Sequence, residues 1–368
     1  MKFVCGKQEL SKALNVVSKA VTSRTTIPVL KGILMKTTED GKLTLSASDL
    51  DISIQDTIDV EVKEAGSIIV LAKLFEEIIR KLPGSEISIE SDDDYKVTIH
   101  CMNSNFNING MSPDEFPVMN QLTDPTDSVV IEKRVFKDMI DKTSFAASID
   151  ESRGIITGLL IEIGDGNITM VGIDGYRIAI NRRSIPEIHK HEFVISAKIL
   201  SEISKIMSDS EEGDTGTLYL GEKKAVFSFD NIQAEMKLLD GKFVPYKDVI
   251  DKTSSITVNV EKLLLMESVE RASLLARAGK NNLIKMTLNG NVMTISSDSE
   301  EGRVKEDIAV MKDGADLTIG FNANYLIDVL KAIDDDEITM MFNKGTDPCI
   351  IKSPEGEKYE YLILPVRI

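Results

Sequence analysis

Two aspartates in Asp49-Leu50-Asp51 have the spacing with which a two-metal nucleotidyl transferase holds its ions. His189 and His191, also two residues apart, could chelate a single metal. Gly164-Asp165-Gly166 invites comparison with a phosphate-binding loop, and Cys5, Cys101 and Cys349 are candidates for thiol chemistry. Each loses its case on inspection. The sequence around the aspartates recurs twice, as Ile173-Asp174-Gly175 and Ser297-Asp298-Ser299, and only one aspartate survives, which suits a turn or bulge better than a metal site. The histidines stand in a charged loop, RRSIPEIHKHEF, with no third ligand nearby. No helix follows the glycine pair and the GxGxxG spacing is absent, so it reads as a hairpin turn. The cysteines are far apart, odd in number and outside any CxxC, and each lies in an apolar, strand-like segment that suits a small core residue. Walker, HExxH and GxSxG sequences are missing, tryptophan is absent and aromatics are 5%, so base stacking has little to work with. The expectation is a binding scaffold, not an enzyme, with no metal and no cofactor.

The elements that carry these residues are repetitive. The first pass begins with GKQELSKALNVVSKAV, where Leu10, Leu14, Val17 and Val21 recur at helical spacing. ILMKTTEDGKLTLSASDLDISI, IIVLAKLFEEIIRKL and YKVTIHC follow, so the order is helix, strands, helix, strands. A second pass opens on EKRVFKDMIDKTSFAA and a third on VEKLLLMESVERASLLARAG. Asp49, Asp174 and Asp298 lie 125 and 124 residues apart, and Ala72, Ala197 and Ala323, each opening a second helix, lie 125 and 126 apart. Two independent anchors therefore give one period. Helices are expected over 7–20, 73–82, 132–145, 198–207, 261–280 and 323–333. The strands alternate with period two, as in half-buried antiparallel sheets, so the fold class is α+β with two helices against sheets in each repeat. The spans are 1–122, 128–249 and 255–368, with linkers near Leu122–Ser128 and Val244–Ser255. Neither end of the array carries a polar capping module, and head-to-tail association of two chains would close it into a ring.

Composition bounds the partners. At 368 residues the chain exceeds one ordinary core, and it contains no apolar run of the ~20 residues that a membrane span needs. No secretory pattern opens it, so the expected location is the cytoplasm, with no membrane partner. The net charge of −17 opposes tight binding to phosphate, yet the six expected helices sum to +6, leaving −23 elsewhere. If those helices share a surface, it is mildly positive inside an acidic shell and could guide a polyanion without gripping it; acidic loops kept for solubility give the plainer account.

At GIDGYRIAI (172–180) and YLILPVRI (361–368) the chain resembles the beta sliding clamps of bacterial DNA polymerase III. The likeness runs the whole length through Arg24-Thr25-Thr26-Ile27-Pro28-Val29-Leu30, LAKLFEEIIRKLP, SPDEFP (112–117) and LLDGKFVPY (238–246), in family order. The resemblance implies three similar domains per chain, a homodimeric ring, and a non-catalytic processivity factor that encircles double-stranded DNA without reading its sequence. It implies partners that dock a short apolar motif in a cleft: the replicative polymerase's catalytic subunit, the clamp loader and repair proteins. The matching cleft positions are Ile156, Ile173, Gly175, Tyr176, Arg177, Ile178, Pro245 and Val249, with the tail Leu362, Ile363, Leu364, Pro365, Val366, Arg367 and Ile368. Arg177 and Arg367 are expected near its rim. Where the family often has proline directly after the aromatic, this chain has Val244 and then Pro245, which shifts that rim by one position. Arg24 and Lys73 match DNA-facing positions, and Phe106, Ile108, Leu274 and Leu275 match the subunit interface, with plain core burial the competing reading for these last four. A monomeric protein-binding scaffold and a metal-dependent nuclease are the other two function classes; the first would not dimerise, and the second needs its scattered aspartates to converge.

Overall fold

The computed structural model describes residues 1–84, 86–117, 119, 127–186, 189–250, 254–353 and 356–368. Of the expected linkers, residues 122–126 and 251–253 lie outside the described residues. The helices are α1 (Lys7–Val17), α2 (Ala72–Lys81), α3 (Lys133–Asp141), α4 (Ala197–Ile206), a single turn α5 (Lys247–Ile250), α6 (Lys262–Ala276) and α7 (Ala323–Ala332). Ala72, Ala197 and Ala323 each open a helix, as the period requires. Residues 18–20 and 144–146 are tight 3-10 turns beyond α1 and α3, so those two helices end earlier than the apolar spacing suggests. In α2, Ala72, Phe75, Ile78 and Ile79 are buried on one face, Arg80 and Lys81 complement the C-terminal end of the dipole, and Leu82-Pro83 stops the helix. Lysines that open α1 and α6 also close the ends of other helices. Lys7 Nζ donates to Arg80 O at 3.1 Å, and Lys262 Nζ to Ile333 O at 2.8 Å, filling the open carbonyls at the ends of α2 and α7.

The chain forms two compact units. The first holds Met1–Arg134 and Lys205–Leu238, the second Val135–Ser204 and Leu239–Ile368. Each unit therefore joins one repeat to half of the central one. In the first unit, a five-stranded sheet runs 61–64, 2–6, 86–91, 96–101, 104–109. An eight-stranded sheet runs 127–132, 215–220, 224–229, 232–237, 52–59, 42–48, 32–38, 66–71. In the second unit, a nine-stranded sheet runs 191–196, 158–164, 167–173, 177–184, 356–363, 349–353, 337–342, 256–261, 311–313, and a four-stranded sheet runs 302–309, 292–299, 283–289, 317–322. Neighbouring strands in these sheets run antiparallel. Two of the pairings cross between repeats: Ala234 faces Ile54 in the first unit and Ala179 faces Tyr361 in the second.

α1 packs on strands 42–48 and 52–59 through Leu10, Leu14 and Val17, and α6 packs on strands 283–289 and 292–299 through Leu265, Val269 and Ala272. Residues 164–167 make the expected hairpin: Gly164 faces Asn167, and Asp165 (φ 52°) and Gly166 (φ 71°) both take the left-handed values of a type I′ turn. Cys5, Cys101 and Cys349 are buried thiols, none of them in a disulfide among the described residues, and burial pushes the Cys5 thiol up to about 12. Among the described residues no helix is long and apolar enough to cross a membrane.

Candidate functional site

The aspartates that suggested a metal site serve as turn acceptors. Asp49 Oδ1 accepts from the backbone N–H of Asp51 (3.0 Å) and Ile52 (2.8 Å), and Asp174 Oδ1 accepts from Tyr176 (2.8 Å) and Arg177 (3.0 Å). Both are Asx turns that reverse the chain between neighbouring strands. Asp298 differs, since it lies within strand 292–299 and faces Arg303, which donates to it from Nε. Among the described residues no three His, Cys, Asp or Glu side chains gather in a way that could hold a metal ion.

In the second unit the sheet builds an apolar patch from residues far apart in sequence. Ile178 faces Ile173 on one side and Leu362 on the other, and Leu362 faces Ile350. One row along, Val194, Leu160, Val171 and Ile180 stand opposite each other in turn. Because side chains alternate across a strand, these two rows share a face. Phe243, Tyr246 and Ile250 are buried against it, while Ile155, Leu239, Val249, Met341 and Leu364 pack on it half-exposed, so an apolar surface stays open at the edge of a packed cluster.

The tail has two sides. Leu362 and Leu364 join this cluster, whereas Ile363 is buried in the opposite core with Tyr359 and Tyr361. Beyond the strand, Leu364 N–H donates to Tyr176 O at 2.8 Å and Val366 N–H to Gly320 O at 2.8 Å, which straps the tail along strand 317–322. A Cβ on Gly320 would stand 2.7 Å from Val366 O, so the glycine is what lets the tail lie there. Pro365 and Val366 are half-buried and Arg367 and Ile368 are exposed. Ile156 is half-buried and its carbonyl accepts from Ser148 N, but its neighbour Ile155 is the residue that packs on the cluster, a displacement of one position from the expected one.

Arg177 requires a correction. It is not a rim group but 9% exposed, and its guanidinium donates from Nε to Asp174 (3.0 Å), from Nη1 to Asp328 (2.6 Å) and from Nη2 to Phe145 O (2.7 Å). It also lies over the rings of Tyr325 (4.7 Å) and Phe145 (5.2 Å). Tyr176, exposed at 56%, stacks on Tyr325 with ring centroids 5.8 Å apart. Gly175 (φ 89°) leaves room for Arg153, whose Nη2 would meet a Cβ at 2.9 Å. The shifted proline has a simple geometry: Tyr246 N–H donates to Val244 O at 2.8 Å, a three-residue turn centred on Pro245. Val244 and Pro245 face outward, and Phe243 and Tyr246 face in, where burial and a bond to Glu162 push the Tyr246 hydroxyl up.

The other expected positions lie elsewhere. Arg24 and Lys73 are exposed in the first unit. Lys73 lines a groove of about 910 Å³ between α1 and α2 together with Lys7, Lys12 and Arg80. Phe106 and Ile108 lie on strand 104–109, whose outer edge pairs with no other strand among the described residues, and Phe106 is 38% exposed. Leu274 is 63% exposed near the end of α6 and Leu275 is half-buried, so core burial does not account for Phe106 or Leu274. Sequence reasoning missed Phe243, Ile350, Met341 and Ile155; only Phe243 carried a signal, as the aromatic of LLDGKFVPY.

Three models of the DNA polymerase III beta subunit family match this chain in order: the N-terminal domain over residues 1–120, the central domain over 130–245 and the C-terminal domain over 247–367. The beta sliding clamp of Halalkalibacterium halodurans is 36% identical over 383 residues, covering all of both chains. That of Staphylococcus epidermidis is 33% identical over 378 residues, covering all of this chain and 99% of the relative. Among solved structures, the DNA polymerase sliding clamp of Bacillus subtilis superposes with a TM-score of 0.96 at 34% identity, covering all of this chain and 99% of the other. The sliding clamp of Pseudomonas aeruginosa bound to griselimycin does so with a TM-score of 0.94 at 25% identity over the full length of both. With all three domain models matched in order and relatives above 30% identity from end to end, the chain belongs to the DNA polymerase III beta subunit family, the beta sliding clamps.

Proposed function

We infer that this protein is the sliding clamp of a bacterial replicative DNA polymerase, a non-catalytic processivity factor that partners DNA and the polymerase. The observation that carries this reading is the match to all three domains of that family along one uninterrupted chain. Domain spans of 1–122, 128–249 and 255–368 go with it. The finer proposal is a homodimeric ring closed head to tail, with Phe106 and Ile108 of one copy meeting Leu274 and Leu275 of the other. Exposed apolar side chains on the last strand of a sheet and at a helix end support that pairing. Arg24 and Lys73 face the DNA in this proposal, and the groove cations beside Lys73 support it.

The apolar patch of the second unit is the proposed docking cleft. It is preformed, lined by Ile178, Leu362, Leu364 and Val249, and suited to an extended peptide with leucine or phenylalanine anchors. The polymerase's catalytic subunit, the clamp loader and repair proteins would use it in turn, in the cytoplasm. Loading the purified protein onto nicked circular DNA with its clamp loader tests the ring: the complex should survive high salt and be lost when the circle is cut. Equal retention on linear and circular DNA would contradict encirclement.

A further inference from the structure

The peptide cleft has a duplicate in the first unit, visible only when the two sheets are laid register on register. Leu50 (φ 78°) takes the place of Gly175 (φ 89°), after Asx turns of the same form on Asp49 and Asp174. The strap repeats too, since Lys237 N–H donates to Asp51 O at 2.9 Å where Leu364 N–H donates to Tyr176 O at 2.8 Å. Half of the apolar patch is shared. Ile69 and Leu34 pair as Val194 and Leu160 do, Val226 stands for Ile350, and Val29, Leu30 and Phe116 cluster there with Leu34 and Met111.

The other half is reversed in polarity. Ser46 pairs with Gln55 where Val171 pairs with Ile180; Ser48 pairs with Ser53 where Ile173 pairs with Ile178; and Glu235 faces Ser53 where Leu362 faces Ile178. Lys237 stands where Leu364 does. These groups are tied to one another: Ser48 Oγ and Ser53 Oγ are 2.8 Å apart, Lys224 Nζ donates to Glu235 Oε1 at 2.6 Å, and Lys237 Nζ to Asp51 at 3.2 Å. Glu235 is 7% exposed, and its Oε2 is buried with no hydrogen-bond partner among the described residues. An apolar anchor seated on this surface would cover polar groups that it cannot hydrogen-bond.

We infer that the first unit carries a silent duplicate of the peptide cleft, and that six positions, Val171, Ile173, Ile178, Ile180, Leu362 and Leu364 against Ser46, Ser48, Ser53, Gln55, Glu235 and Lys237, decide which copy accepts an apolar peptide. This rests on the cleft reading of the second unit. The shared residues set the shape of both copies, and the six set the chemistry. One copy is thereby reserved for partners and the other kept out of competition, a division made by exclusion as much as by attraction.

Titration calorimetry of the full-length protein with a synthetic peptide, copied from the leucine- and phenylalanine-bearing clamp-binding segment of the cognate polymerase, separates the possibilities. The wild type should take one peptide per chain. Absence of binding would overturn the cleft reading itself, and two equal sites per chain would overturn the silence of the duplicate. Moving first-unit residues across, as Ile178→Ser with Leu362→Glu, should weaken binding at least tenfold. Leu364→Lys, at a half-buried position that leaves the core intact, should do the same with an unchanged Tm. Unaltered affinity in the folded Leu364→Lys protein would overturn the assignment. In the converse graft, Ser53→Ile with Glu235→Leu and Lys237→Leu, a second, weaker site should appear; a folded graft that still binds one peptide per chain would show that the polar set is not what silences the first unit.

Discussion

Asp56 is 8% exposed in the middle of the eight-stranded sheet, and burial, with the Asp230 carboxylate adding to it, raises its pKa from 3.8 to about 6. The native state therefore holds a proton that the unfolded chain releases, and stability falls as pH rises from about 4 through 6, then stays level above that range. Asp56→Asn should remove this slope and stabilise the protein by roughly 3 kcal/mol at pH 8, with little change at pH 4. Urea midpoints of the two proteins across that range check it, and parallel curves for both would refute it. Arg177 poses the opposite case, since a buried guanidinium satisfied by two carboxylates and a carbonyl leaves them stranded when removed. Arg177→Ala should cost about 3 kcal/mol in urea unfolding, and Arg177→Lys a large part of that, because one ammonium cannot reproduce the planar fork. The resemblance pointed to Arg177 but not to its role: its acceptors come from residues 145, 174 and 328, and no local pattern ties these together.

The tail after Ile363 is an element in its own right, held by backbone bonds from Leu364 and Val366 and contributing Leu364 to the apolar patch. Deleting Leu364 to Ile368 should abolish binding of the polymerase peptide while the proposed dimer, twice 40.6 kDa for the full chain, persists at twice the mass of the shortened chain, because the proposed interface uses other elements. Light scattering beside calorimetry reads both, and retained peptide affinity in a folded truncated dimer would place the partner site elsewhere. Most elements could be foreseen. Apolar residues three and four apart gave α2 and α7 almost to the residue, and alternation gave the strands, because both signals are local. The sheet pairings could not, since Ala179 meets Tyr361 across 182 positions and nothing in either segment names the other. The apolar patch was legible only where the likeness to known clamps marked its residues; Ile350 and Met341, brought in by pairing alone, carried no mark.

At the scale of the whole molecule, a net charge of −17 sets the terms with DNA. Linear duplex without a clamp loader should bind weakly, and a groove in which the cations Lys7, Lys12, Lys73 and Arg80 outnumber the carboxylates Glu76 and Glu77 should make the binding fall with salt. Fluorescence anisotropy over roughly 50–300 mM salt measures this, and nanomolar affinity at about 150 mM would mean that the protein grips DNA by charge. Strand 52–59 finds its neighbour only when residues 232–237 have been made, so a ribosome adding about 5–20 residues per second leaves that flank bare for roughly 10–35 s. A naked flank invites the neighbouring nascent chain. Ser53, Gln55, Thr57 and Asp59, alternating along it, give a hydrophilic face during the wait, so Ser53 and Gln55, proposed above to keep the finished copy free of peptide, would also guard the unfinished one against its own kind.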